Sequence, residues 1–378
     1  MLDVRSQSTI AALPAAAPSA AAVAKERALL AWLARQESVL IGYSGGVDSA
    51  YLAACALEAL GPSRVLAIIG RSASLPAEQW RGARSTADAI GIPVEELDTA
   101  ELADPRYASN PSNRCYFCKS ELWGRLVPLA RTRGFAVVAD GTNASDLGGH
   151  RPGMAAARER GVASPLAEAG LTKDEIRVLS RARGLPTWSQ PSAPCLASRI
   201  PYGTAVTPAR LREVELAEDA LRALGVAGDL RVRHHGALAR LELSPDELER
   251  HLSEDALARL TSAVRGAGFV RAAVDLRGFR SGGLLTLGKR DAGRAKGLET
   301  ASVDRADEES DRAAAGGALC RALARLGIEA QVHTEGVVTV LSTRTPARFA
   351  EPEIRQATLA MAEGLGLRTL SLTPRDDS

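Results

Sequence analysis

Aromatic residues make up only 4% of this 378-residue chain, and its charges nearly cancel, with 47 Lys and Arg against 45 Asp and Glu for a formal net charge of +2. A chain so balanced lacks the broad cationic field that holds a polyanion by counterion release, which argues for small substrates and no nucleic acid. No apolar run approaches the roughly 20 residues that span a bilayer, so no membrane partner is expected. Cysteine is scarce: five residues, two of them in Cys115-x-x-Cys118. That number excludes a secreted disulfide scaffold and points to a reducing, cytoplasmic setting with metal or redox chemistry. Residues 1–23 are rich in Ala, Pro and Ser but have no charged start followed by a strong apolar core, and read as a flexible leader. Also missing is any Gly-Lys-Ser/Thr, which excludes a Walker-type loop for γ-phosphate transfer.

What is present suits a multi-domain globular protein, with 46% hydrophobic and 24% charged residues. From residue 24 the chain alternates apolar runs (38–43, 65–69, 94–97, 135–140) with helical periodicity (24–35, 49–60, 76–90, 119–133). This alternation predicts a doubly wound parallel α/β sheet over 24–205, with binding loops at the carboxyl ends of its strands. A Pro-rich stretch, 186–208, is expected to be a long functional loop. A smaller α+β domain follows over 206–287, with one helix expected over 245–267; then come a charged, small-residue linker over 288–316 and a small α+β extension over 317–378. The extension's element order resembles that of the preceding domain, without matching residues that would establish a repeat.

The most informative segment is Ser44-Gly45-Gly46-Val47-Asp48-Ser49, which leaves an apolar strand and opens a helix. Its glycines let backbone N–H groups approach phosphate oxygens, Ser44 and Ser49 add hydroxyl donors, and the helix start favours negative charge. Asp48 is placed to hold Mg²⁺. Ser72, just beyond the next strand, is a further nucleotide candidate, although polar residues commonly end strands. The loop resembles that of ATP pyrophosphatases, which transfer AMP and release pyrophosphate.

Three later motifs narrow this superfamily: Asn113-Arg114-Cys115-Tyr116-Phe117-Cys118-Lys119, Asp140-Gly141-Thr142-Asn143 running to Asp146 and Arg151-Pro152-Gly153, and Pro194-Cys195-Leu196-Ala197-Ser198-Arg199 running to Gly203. With the phosphate loop they resemble the LarE family, ATP-dependent sulfur transferases of nickel-pincer nucleotide biosynthesis, over roughly residues 25–287. The resemblance implies a PP-loop fold of the adenine nucleotide alpha hydrolase-like type. It implies ATP at Ser44, Gly45, Gly46, Asp48, Ser49, Ser72, Gly141 and Asn143, with Mg²⁺ on Asp48. The implied reaction adenylates a carboxylate of pyridinium-3,5-biscarboxylic acid mononucleotide and converts it to a thiocarboxylate. Cys195 matches the catalytic cysteine, and a thiolate is the natural attacking group.

Family members with one such cysteine spend its sulfur and end as dehydroalanine. Those with three are thought to hold a [4Fe-4S] cluster, which here would sit on Cys115, Cys118 and Cys195. A zinc site, a redox disulfide and two bystander cysteines are the alternatives. Arg231 and Arg233 alternate along a strand and so share a face, where paired guanidiniums can grip a phosphate. The resemblance carries them over, with Arg199, as substrate-binding candidates. Cys55 and Cys320 read as ordinary core residues. The resemblance further implies a homo-oligomer and other nickel-pincer assembly proteins as partners. Competing readings are a tRNA-thiolating enzyme, which needs a cationic RNA surface, an amide-forming synthetase of the NAD synthetase type, which needs no cysteine, and an ATP sensor without chemistry.

Overall fold

The computed structural model describes residues 17–148, 151–280, 303–335, 337–367 and 369–374. These residues divide into two compact units, one holding those of 17–196 with 203–207 and the other those of 197–202 with 208–374.

The first unit opens with α1 (Ala20–Ala34), whose start is fixed by Ser19, the side chain of which accepts from the Ala22 N–H at 3.1 Å. The helix therefore begins four residues inside the expected leader, and residues 1–16 of that leader lie outside the described residues. There follow β1 (Val39–Gly42), α2 (Val47–Leu60), β2 (Val65–Arg71), α3 (Ala77–Ile90), β3 (Val94–Asp98), α4 (Pro105–Ala108), α5 (Arg114–Thr132), β4 (Val137–Ala139), α6 (Pro152–Glu159), α7 (Pro165–Glu168) and α8 (Lys173–Ala182). The four strands form a parallel sheet in the order β3-β2-β1-β4. The chain thus winds outward from β1 and then crosses to its other side for β4. The loops after β1 and β4 consequently diverge around one crevice, the place where open α/β sheets bind ligands.

Alternation of side chains along β1 feeds two cores. Val39 and Ile41 pack with Leu33, Leu52 and Ile176, whereas Leu40 packs with Ile68, Trp123 and Leu126. Gly42 ends β1 under the Trp123 ring, and a Cβ there would stand 2.4 and 2.6 Å from ring carbons. Gly42→Ala is expected to cost about 2–3 kcal/mol by overpacking, read as a lowered Tm.

The second unit carries α9 (Pro208–Ala223), β5 (Leu230–His235), β6 (Leu238–Leu243), α10 (Pro245–Arg250), α11 (Glu254–Gly266), β7 (Arg271–Asp275), α12 (Val303–Arg325), β8 (Ala330–Glu335), β9 (Val338–Thr343), α13 (Pro352–Gly364) and β10 (Leu370–Pro374). Its six strands make one sheet in the order β5-β6-β7-β10-β9-β8, so the extension's strands continue the sheet of the smaller domain. The single helix expected over 245–267 is two, because Ser253 caps a new helix by accepting from Ala256 N–H at 3.3 Å. The carboxyl half of the expected linker belongs to α12, whose Ala-rich, charged sequence favours helix. Residues 288–302, the rest of that region, lie outside the described residues, as do residues 281–287 of the preceding domain. Among the described residues no helix is long and apolar enough to cross a membrane.

Candidate active site

The phosphate loop is folded on itself by its own serines. Ser49 Oγ lies 3.1 Å from Ser44 Oγ and donates to Gly46 C=O at 3.1 Å, while it accepts from Ser44 N–H at 3.3 Å. Gly45 has φ +72°, and a Cβ on it would meet the Ala83 backbone of α3 at 2.4 Å, so only glycine fits. Gly46 caps α2 without a side-chain bond, leaving the amides at the helix start open to phosphate.

The loop after β4 closes onto this turn. Asp140 accepts from Thr142 N–H (3.0 Å), Thr142 Oγ1 (2.9 Å) and Ser164 Oγ (2.8 Å), which shapes the chain around Gly141. Gly141 lies so near α2 that a Cβ would stand 3.0 Å from Ser49 N, in the path of any ligand on those amides. Asn143 donates from Nδ2 to Asp48 Oδ1 at 3.3 Å and makes a capping box with Asp146, which in turn pairs with Arg151 at 2.8 Å.

Lys173, a residue the sequence reading passed over, forms an ion pair with Asp48 Oδ2. Thr172 and Glu175 form a capping box that starts α8 and holds Lys173 at its first position. Asp48, Asn143 and Lys173 thus converge from three elements onto one point beside the phosphate turn. Ser72 is in the turn after β2, at the same sheet edge, where its Oγ accepts from Ser74 N–H at 3.1 Å.

The same edge anchors Cys195. The next residue, Leu196, donates its N–H to Ser74 C=O at 2.9 Å, and Pro194 C=O accepts from Gln79 Nε2 at 3.4 Å. Farther on, Gly203 N–H donates to Asn110 C=O at 2.9 Å and Val206 N–H to Ala108 C=O at 2.8 Å. Asn110, wholly buried with φ 58°, receives Arg114 Nη1 on its Oδ1 at 2.5 Å, so it also braces the start of α5.

Helix α5 begins five residues before the expected 119, which places Cys115 and Cys118 within its first five residues. The three cysteines share one electrostatic neighbourhood. Burial pushes the Cys118 thiol up to about 12, with Glu101, Cys195 and Cys115 adding to the rise. Cys115, although exposed as a residue, has its thiol raised by desolvation first and by Cys195 next. Burial and Cys195 also raise Tyr107, whose hydroxyl bonds Ser74 Oγ at 2.7 Å. Among the described residues no group of three or more His, Cys, Asp or Glu is gathered closely enough to hold a metal ion. Cys55 is an apolar core residue of α2, its thiol pushed up to about 12 by burial.

The basic candidates lie in the second unit. Arg231, Arg233 and His235 share one face of β5, opposite Glu242, Arg240 and Leu238 of β6. Arg233 pairs with Glu242 at 2.8 Å and donates to Ser198 C=O at 2.8 Å, and Arg240 pairs with Glu242 and, at 3.0 Å, with Asp275. Arg199 forms a two-pronged bond to Glu218, both contacts 3.0 Å. Arg231 stacks over Phe279 at 5.1 Å and is pushed down to about 10 by burial and the neighbouring Arg199 charge. The face is therefore buried and rich in guanidiniums. Burial holds His235 neutral, at about 3, while His234 points the other way to Glu213 at 2.8 Å. Glu242→Ala would leave two buried arginines without their shared carboxylate, and about 3–5 kcal/mol of stability should be lost in urea denaturation.

A family model described as NAD synthase matches residues 32–114. An uncharacterized protein of Synechocystis sp. is 45% identical over 248 residues, 66% of this chain and 92% of the relative. The pyridinium-3,5-bisthiocarboxylic acid mononucleotide synthase of Lactiplantibacillus plantarum is 33% identical over 258 residues, 68% of this chain and 92% of that enzyme. An NH₃-dependent NAD⁺ synthetase of Pyrobaculum aerophilum matches at 38% over 71 residues only, 19% of this chain and 27% of the synthetase.

Proposed function

Since the chain belongs to the LarE family of ATP-dependent sulfur transferases, we propose that it adenylates a carboxylate of pyridinium-3,5-biscarboxylic acid mononucleotide and replaces one carboxylate oxygen with sulfur. The observation that carries this reading is the anchoring of Cys195, through Leu196 and Ser74, at the sheet edge that bears the phosphate turn. The NAD synthase match stops at Arg114, one residue short of the first motif cysteine. What is shared with amide-forming synthetases is therefore the phosphate turn, and the motif cysteines fall outside it.

The chemistry divides accordingly. ATP binds with Mg²⁺ at Asp48, and Lys173 and the α2 amides carry phosphate charge. A substrate carboxylate oxygen attacks the α-phosphorus, the bond to the β-phosphate oxygen breaks, and pyrophosphate leaves. A carboxylate alone is a poor electrophile with an oxide leaving group, whereas the mixed anhydride can expel AMP when sulfur adds to its carbonyl carbon. Arg231 and Arg233 would hold the substrate's own phosphate, with Arg199 supporting the same face.

The sulfur source is assigned to a [4Fe-4S] group on Cys115, Cys118 and Cys195. Three soft thiolates fit such a group. Tetrahedral zinc, at about 2.3 Å from each sulfur, would need its ligands drawn much closer together than a four-iron cluster does. Such a group, held by Cys115, Cys118 and Cys195, would supply sulfide-level sulfur for the transfer. Burial around Cys118, which raises its thiol, limits access by water and oxygen. A reducing, cytoplasmic setting follows from that chemistry.

The test is anaerobic purification with iron and sulfide quantification for the native chain and for Cys115→Ala. About four irons per chain, lost in the variant, are expected. Absence of iron, together with loss of the mass of H₂S from Cys195 after turnover, would instead assign the sulfur to Cys195 itself.

A further inference from the structure

The two halves of the second unit follow one plan. The first half runs helix, antiparallel hairpin, helix, parallel strand (α9, β5, β6, α11, β7), and the second repeats it (α12, β8, β9, α13, β10). The agreement reaches individual residues. Leu230↔Leu243 through His235↔Leu238 in the first hairpin become Ala330↔Thr343 through Glu335↔Val338 in the second, a uniform shift of 100 positions. The parallel pair Ala239↔Ala272 becomes Thr339↔Leu370, a shift of 100 for one strand and 98 for the other.

Helix ends agree as well. Ala220-Leu221-Arg222-Ala223-Leu224-Gly225-Val226 is matched by Ala322-Leu323-Ala324-Arg325-Leu326-Gly327-Ile328. Gly225 and Gly327 both have positive φ, and the N–H groups of Val226 and Ile328 return to Leu221 and Leu323 at 3.1 and 3.0 Å. Gly266-Ala267-Gly268-Phe269 and Gly364-Leu365-Gly366-Leu367 end α11 and α13 in the same way, with bonds to Val264 and Ala362. The sheet closes on the equivalent strands, β7 against β10, antiparallel. In that pair Val274 faces Leu372, its own counterpart under the shift of 98, so a local two-fold axis passes through this pair.

The copies differ in chemistry. Leu241 and Val274 correspond to Leu341 and Leu372, all of them buried. Every charged residue of the opposite face is replaced: Arg231, Arg233, His235, Arg240, Glu242 and Asp275 correspond to Gln331, His333, Glu335, Val340, Ser342 and Thr373. The second copy has kept the packing face and lost the charge network, so it can cover a strand edge but not repeat the anion site. The matched relatives span 248 and 258 residues at 92% of their own length, which leaves them no room for a second copy of this size.

We propose that residues 303–374 are an internal second copy of the 208–275 unit that occupies the β7 edge in place of a second protein molecule, so that this chain cannot pair with itself through β7. An isologous contact puts the same residue on both sides of a two-fold axis, and the Val274–Leu372 pair reproduces that arrangement within one chain. An open β7 would instead present a row of unpaired N–H and C=O groups to another copy. This inference concerns assembly and is independent of the sulfur chemistry.

Cysteine cross-linking tests it, since facing residues of an antiparallel pair stand at disulfide distance. Under mild oxidant, Val274→Cys in the otherwise native chain is expected to give no disulfide between the introduced thiols of two molecules. Val274→Cys combined with Leu372→Cys is expected to give an intrachain bridge, and peptide mass maps both outcomes. In a Leu370→Asp, Leu372→Asp background, where β10 can no longer pack, Val274→Cys should give covalent dimers, and light scattering should show twice the native mass. A disulfide joining position 274 of two otherwise native chains overturns the proposal whether or not the Asp variant folds. So does an Asp variant that keeps its helical circular dichroism and neither dimerises nor cross-links.

Discussion

Cys195→Ser is expected to reduce thiocarboxylate formation by at least about 10³-fold, roughly 4 kcal/mol in the barrier, while pyrophosphate release with substrate and ATP persists. A hydroxyl occupies nearly the same volume, so the anchoring of the segment through Leu196 and Gly203 should survive. A serine oxygen is neither a sulfur donor nor a soft ligand, and it is far less nucleophilic than a thiolate. Product mass and released pyrophosphate, measured side by side, check this. An enzyme that merely amidates its adenylate would keep full activity in the variant, so continued product formation would discard the sulfur-transfer chemistry and leave the ATP half standing. Loss of both signals would instead place Cys195 in the adenylation step or in the stability of the fold.

Asp48→Asn should lower kcat by about 10²–10³-fold, with a much smaller change in KM for ATP. Metal stabilisation of developing phosphoryl charge is worth several kcal/mol, and in the proposed mechanism Asp48 is the carboxylate that the phosphate turn contributes for it. Two effects of the substitution oppose one another in the ground state. On the proposed reading Mg²⁺ would lose its protein ligand, while Lys173 loses the carboxylate it pairs with and would become a stronger partner for the triphosphate. Lys173→Met should act in the opposite sense, raising KM for ATP more than it lowers kcat. Steady-state kinetics at saturating Mg²⁺ separate the two, and the double variant should fall short of the product of the singles because the residues touch.

The phosphate turn could be read from the chain because its chemistry is local. Glycines, hydroxyls and a helix start must follow one another directly, so six consecutive residues disclose it. The cysteines were legible as motifs for the same reason. Lys173 was missed because its role depends on a partner 125 positions away, which no local pattern shows. The expected linker was misjudged in its carboxyl half, where charge and small residues suggested an open segment although alanine favours the helix that forms. The extension's element order was legible, but its residues could not be matched because the register changes from 102 to 100 to 98 along the chain. Only its helix ends keep visibly similar residues. Apolar residues interchange freely in a packing face, and the charged face, which would have marked the repeat, is the part that was replaced.

By itself, then, the sequence determined that this chain carries a glycine- and serine-rich strand-to-helix turn, belongs with sulfur-handling pyrophosphatases and alternates helix with strand over its first half. These properties rest on backbone conformation and on side-chain chemistry within a few residues, which residue type dictates directly. The tertiary structure alone decided that Asp48, Asn143 and Lys173 meet, that Cys195 is tied to the edge carrying the phosphate turn, and that Arg231 and Arg233 are buried. It also decided that β8, β9 and β10 complete a sheet. Those outcomes depend on which distant segments exclude water together, and burial is a property of the assembled fold that no short stretch of chain contains.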